Sequence, residues 1–108
     1  MSTIQDSDLD QMEQMTKFCN SFPCLRGRPG TNTWDQFKFA EWASRPISSG
    51  ERMAAAFVLA VWSGSAKEEV WNQEPYSVGH FDSIEALAIW DPGNREAYIA
   101  WCKAPFWP

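Results

Sequence analysis

The sequence predicts an all-α fold: a compact single domain over residues 1–108, with about five helices around a buried central one. Three observations carry that expectation. Met53 to Trp62 is an unbroken run of ten apolar residues, with Ser48 and Glu51 before it and Gly64 after it. Elsewhere apolar residues recur at helical spacing behind Ser, Thr or Asp caps. No two alternating segments are joined by a turn that reads as a hairpin.

The central helix, Ser49–Ser63, sets the frame. Met53, Ala56, Phe57, Ala60 and Val61 fall on one stripe, while Ala55, Val58, Leu59 and Trp62 fall on the other side. A helix that is apolar all round is surrounded by other elements. Ten residues rise about 15 Å, half a bilayer core, so the run is too short to span a membrane. Ser48 and Glu51 have capping-box spacing, and Gly64 stands where a C-terminal glycine belongs.

The other elements follow in order. Ser7 with Asp10 caps a first helix over about residues 7–19, whose apolar stripe is Leu9, Met12, Met15, Phe18 and Cys19. Residues 20–33 form a loop containing two Pro and two Gly. Thr33 with Gln36 opens a second helix through Ala43, with Trp34, Phe37 and Glu41 on one face. Phe37 and Phe39 would share a strand face, but Ala40, Glu41 and Ala43 favour the helix. Arg45-Pro46 ends it. A polar loop covers residues 64–81, in which Glu68–Trp71 has the length for a turn of helix.

Asp82 with Glu85 caps a fourth helix through Trp90, with Ile84, Leu87 and Ala88 expected to face the core and Phe81 to act as a staple. Asp91 and Pro92, as N-cap and first helical residue, start the last helix. It runs over about Gly93 to Lys103, with Ala97, Tyr98 and Trp101 inward, and the tail Phe106-Trp107-Pro108 is expected to pack onto the domain.

Composition narrows the function. Seven Trp, seven Phe and two Tyr give a small chain a core of large pieces, or rings displayed for a partner. The net charge is −5, of which Asp6, Asp8, Asp10 and Glu13 supply four before the first basic residue, leaving ten acids and nine bases in the rest. That balance disfavours a nucleic-acid binder, which neutralises phosphates. An acidic first helix also suits its own dipole, worth about 0.3–1 kcal/mol per residue. Met1–Asp10 has neither a basic nor an apolar region of the kind that opens a secretory signal. Three cysteines, an odd number, suit reduced thiols, so a cytoplasmic location is expected.

Chemistry-bearing sets are sparse. Cys19, Cys24, Cys102 and His80 match a Cys₃His zinc set in number, but C-x₄-C is their one close pair, and scattered cysteines more often act as small buried hydrophobes. A Cys–His80–Asp82 triad can be written down, yet no nucleophile turn or phosphate loop accompanies it. No catalytic residue, metal or cofactor is therefore assigned, and a small metal or thiol enzyme ranks last. The Arg26-Gly27-Arg28-Pro29 stretch matches the core of AT-hook motifs, in which an extended chain sets two Arg in a narrow minor groove. It lacks flanking basic residues, so a minor-groove accessory role through Arg26 and Arg28 is the alternative.

Binding another protein is the leading expectation. The loop places Trp71 and Tyr76 among Lys67, Glu68, Glu69 and Glu74, and two rings in a polar loop have little core to bury them. Trp71 as a displayed contact and Trp71 as the loop's own anchor stand equally open. In the first case Trp71, Tyr76, Glu68 and Glu69, with the acidic head Asp6, Asp8 and Asp10, meet the partner. Self-association is a further option; a membrane partner is not expected.

Two stretches also read together. Gly50–Trp62 carries GE-x-x-AA-x-FVL-x-VW, and Phe81–Pro108 carries FD-x-x-EAL-x-x-WD-x-x-x-R-x-A-(aromatic)-x-x-W followed by P-(aromatic)-WP. The combination resembles small bacterial and mobile-element proteins over roughly the last 60 residues. The resemblance implies no activity by itself. Genes of that size on phages and plasmids often encode inhibitors of host defence; by that association, one concrete form of the protein-binding expectation is an inhibitor of a host defence or nucleic-acid-handling complex, of anti-CRISPR or anti-restriction type.

Overall fold

Ser48 begins the central helix as a full capping box: its hydroxyl accepts from Glu51 N–H while the Glu51 carboxylate accepts from Ser48 N–H. Gly64 closes that helix in the left-handed region at φ 75°. The computed structural model describes residues 6–64 and 70–108, with side chains from residue 9 onward. Five α-helices occur there: α1 Asp6–Ser21, α2 Gln36–Ala43, α3 Ser49–Ser63, α4 Ser83–Ile89 and α5 Pro92–Lys103. Short 3₁₀ turns cover Pro23–Leu25 and Val70–Asn72, and the described residues contain no strand. The radius of gyration, 13.4 Å, is that of a folded domain of this length.

The core is built outward from α3. Met53 through Leu59 and Val61 are all buried, while Ala60 and Trp62 are half-covered. Phe57 is the hub. Its ring lies 4.9 Å from Phe81, 4.9 Å from Tyr98 and 5.2 Å from Trp101, with Phe18 and Phe22 at 5.8 and 6.1 Å. One α3 side chain thus joins α1, the loop after it, the entrance of α4 and α5. Most of these pairs meet edge to face, as the ring quadrupole favours. On the other side of the domain Trp34 contacts Phe39 and Trp62.

Two local expectations change. The N-cap of α2 is Asp35, whose carboxylate accepts from Phe37 N–H and Lys38 N–H, so Thr33 is not the cap. Trp34 consequently lies before the helix, buried, with its backbone N–H donating to Thr16 Oγ1. Phe37, expected to share its face, is instead exposed. The loop can close here because Gly30 adopts φ +79° and receives Asp35 N–H at 3.0 Å; a Cβ at Gly30 would stand 2.5 Å from Asp35 O.

The second change concerns α4. Ile84, Leu87 and Ala88 face outward, with Ile84 82 % exposed, while Ala86 and Trp90 are buried. The helix is only seven residues long, and its ends decide its rotation. Phe81 enters and Trp90 leaves with rings stacked 6.0 Å apart, and the Trp90 indole N–H donates to Gly50 O at 3.0 Å. Two large anchors hold the short helix against α3 by its Ala86 side. The Asp82 carboxylate accepts from Ile84 N–H and Glu85 N–H, which makes it the expected cap.

The last helix begins as its sequence dictates. Asp91 caps it, Pro92 is its first residue, and the buried Asn94 side chain accepts from Cys24 N–H across the domain. Ala97 is buried and Tyr98 and Trp101 are half-buried, on the expected face. The tail folds back: Trp101 Nε1 donates to Phe106 O, the Phe106 ring meets Phe18 at 5.2 Å, and Trp107 lies against Trp101 while staying 60 % exposed.

Candidate functional site

The loop after α3 uses Trp71 as its anchor. The ring is buried, its indole N–H donates to Ser63 Oγ at 2.9 Å, and it packs edge-on against Tyr76 and Phe37. Val78 N–H then donates to Trp71 O, and Gly79 N–H to Asn72 Oδ1. The described part of the loop, residues 70–81, is therefore wrapped round its own tryptophan: of the two alternatives for Trp71, the anchor is found and the displayed ring is not. Tyr76 is half-buried beside it. Glu68 and Glu69 lie outside the described residues, as do the side chains of Asp6 and Asp8; Asp10 is exposed on α1.

The Arg26–Pro29 stretch is turned rather than extended. Gly27 has φ +74°, Arg28 N–H donates to Leu25 O, and Thr31 N–H donates to Arg28 O. Both arginines also bind their own chain. Arg26 Nε donates to Asn20 O and Arg28 Nε to Cys24 O. The Arg28 guanidinium pairs with Glu51 at 2.9 Å and lies over the Trp42 ring at 5.5 Å. The carboxylate that caps α3 thus also secures this turn, and the backbone geometry differs from that of a minor-groove insert.

The cysteines are separated in environment as well as in sequence. Cys19 is buried, Cys24 half-buried and Cys102 exposed. Burial pushes the Cys19 thiol up to about 12 and the Cys24 thiol up to about 11, the latter raised further by the Glu51 and Asp91 carboxylates. Both are protonated at neutral pH and poorly nucleophilic. Among the described residues, no three His, Cys, Asp or Glu side chains stand close enough together to hold a metal ion. No helix there is long and apolar enough to cross a membrane.

What remains is the outer face of α4. Ile84, Leu87 and Ala88 lie within an arc of about 100° on that helix, and all three are exposed. Ile89, at the last turn, is 41 % exposed. The flanks are acidic: Asp82, Glu85 and Asp91 are exposed, and no Lys or Arg occurs between Asp82 and Asn94. An isolated exposed leucine means nothing, but an apolar helix face flanked by acids, with the Arg95 guanidinium held on Trp90 O at its C-terminal end, has the anatomy of a contact surface. The sequence contained this face; its period simply pointed it inward.

Comparison with family models, with curated proteins and with solved structures gives no match to this chain.

Proposed function

We propose that this chain is a non-enzymatic protein-binding module whose contact surface is the outer face of α4. The observation that carries the reading is Ile84, 82 % exposed beside Leu87 and Ala88, where the other exposed large aliphatic residues among those described are no more than 45 % exposed. Among the described residues that face stays largely in solvent, from Ile84 at 82 % to Leu87 at 39 % exposed. The acidic rim of Asp82, Glu85 and Asp91 selects a partner with a basic border round an apolar depression, and electrostatics of that kind chiefly sets encounter rate and register. Basic borders are what nucleic-acid-handling proteins present. The reading thereby joins the resemblance to mobile-element proteins, with inhibition of a host defence complex as its concrete form. The Cys19 and Cys24 thiols, one buried and one half-buried, are both held protonated, which favours a binding role over thiol chemistry at those two positions.

Affinity capture from host lysate by the wild type and by Ile84→Asp tests the reading, followed by titration of any differential protein in purified form at two salt concentrations. The expected result is a partner retained by the wild type, lost with Ile84→Asp, and bound more weakly at high salt. Identical capture by both chains would remove α4 as the contact.

A further inference from the structure

A second surface is independent of the α4 face. Between α1 and α5 runs a groove of about 300 Å³, closed at one side by the tail residue Phe106. Its two walls differ in chemistry. The α5 wall is made of methyl groups, because Ala97, Ala100 and Ala104 leave a channel beside the half-buried Trp101 ring. The α1 wall presents Gln14, Lys17 and Ser21 at helical spacing, with Phe18 as its floor.

The charge in this groove runs against that of the chain. In a protein of net charge −5, the single ionised side chain lining the groove among the described residues is a cation, Lys17, and no described carboxylate lines it. Among the described residues Lys17 has no carboxylate within ion-pair distance. Glu13, one turn earlier, lines the neighbouring depression with Leu9 and Met12, and Lys17 stands on the ridge between the two. An apolar channel with one polar wall and one cation at its lip fits an amphipathic anion: methylenes along the alanine wall, the negative head at Lys17. At about 30 Å³ of liquid volume per water, the space suits a ligand of roughly ten heavy atoms.

We propose that the α1–α5 groove binds a medium-chain aliphatic carboxylate, its head group paired with Lys17 and its chain lying between Ala97, Ala100 and the Phe106 ring. The carboxylate is selected over an alcohol by the lysine and over an amine by the same charge. The pairing is exposed at the lip, so its contribution is modest. The alanine wall supplies the rest by burial.

Titration of the full chain with octanoate, 1-octanol and octylammonium, followed by NMR of the alanine methyls, tests this. Octanoate is expected to shift the Ala97, Ala100 and Ala104 methyls saturably, with Kd of about 1 mM or tighter. Octanol should bind about fivefold more weakly and octylammonium more weakly still. Lys17→Met should bring octanoate down to the level of octanol, and Lys17→Arg should restore it. Ala100→Trp, a change at an exposed position, should abolish binding by filling the groove. Absence of saturable shifts at those methyls overturns the proposal. So does equal binding of octanoate and octanol, or octanoate binding that survives Ala100→Trp.

Discussion

Phe57→Leu isolates what the aromatic hub contributes. The substitution keeps an apolar side chain of helical preference at a 5 % exposed position, so neither the helix nor the apolar character of the site is lost. What disappears is a ring that meets Phe81 and Tyr98 at 4.9 Å and Trp101 at 5.2 Å. Aromatic pairs add about 0.5–1.5 kcal/mol each beyond area burial, though pairs sharing one ring do not add fully. With the small volume lost, a cost of about 2 kcal/mol is expected. For a domain of this size that lowers Tm by roughly 8 °C. The matched control is Phe37→Leu, which alters a ring 58 % exposed that touches the hub nowhere, and it should cost less than about 0.5 kcal/mol. Urea unfolding of both variants, with m-values compared to confirm a common denatured state, gives the difference. Equal costs at the two positions would refute the placement of α3 as the enclosed post of the fold.

The other expectations are smaller measurements on the same chain. Ile84→Ser, although it removes a large aliphatic residue from a helix, should change stability by no more than about 0.5 kcal/mol, because that residue is already in water. Gly30→Ala should cost about 2 kcal/mol or more by thermal unfolding, since it combines a positive φ with a clash against backbone. Thiol titration of the native protein should label Cys102 promptly, Cys24 slowly, and Cys19 only on unfolding, in line with their exposure. Stability should be at full strength below the ordinary thiol pKa and fall as pH rises from about 9 towards the raised native values of about 11 and 12. The sign follows because the unfolded chain releases those protons first, and Cys19→Ala should flatten the slope by up to about 1.4 kcal/mol per pH unit.

Much of the fold was legible because its signals are local. Capping depends on a few consecutive residues, so Ser48 with Glu51, Asp82, Asp91 with Pro92, and Gly64 all act where their sequence places them. The enclosure of Met53–Leu59 was equally readable, since a helix without a polar face has nowhere else to go. Asp35 displaced Thr33 as a cap because Thr16, eighteen positions earlier, holds the backbone of Trp34 outside the helix. That bond is long-range, and no window round Thr33 contains it.

Sequence alone thus determined the order of the five helices, the caps of α3, α4 and α5, and that the other four enclose an apolar rod. Tertiary structure decided which way the short pieces face. Two turns of helix have too few residues for periodicity to outweigh their ends, and α4 was rotated by Phe81 and Trp90 until its aliphatic side met solvent. Trp71 went the other way, drawn under its loop by the Ser63 hydroxyl and the Phe37 and Tyr76 rings. Rotation and burial of this kind are settled by contacts between distant residues, and those exist only once the chain has closed on itself.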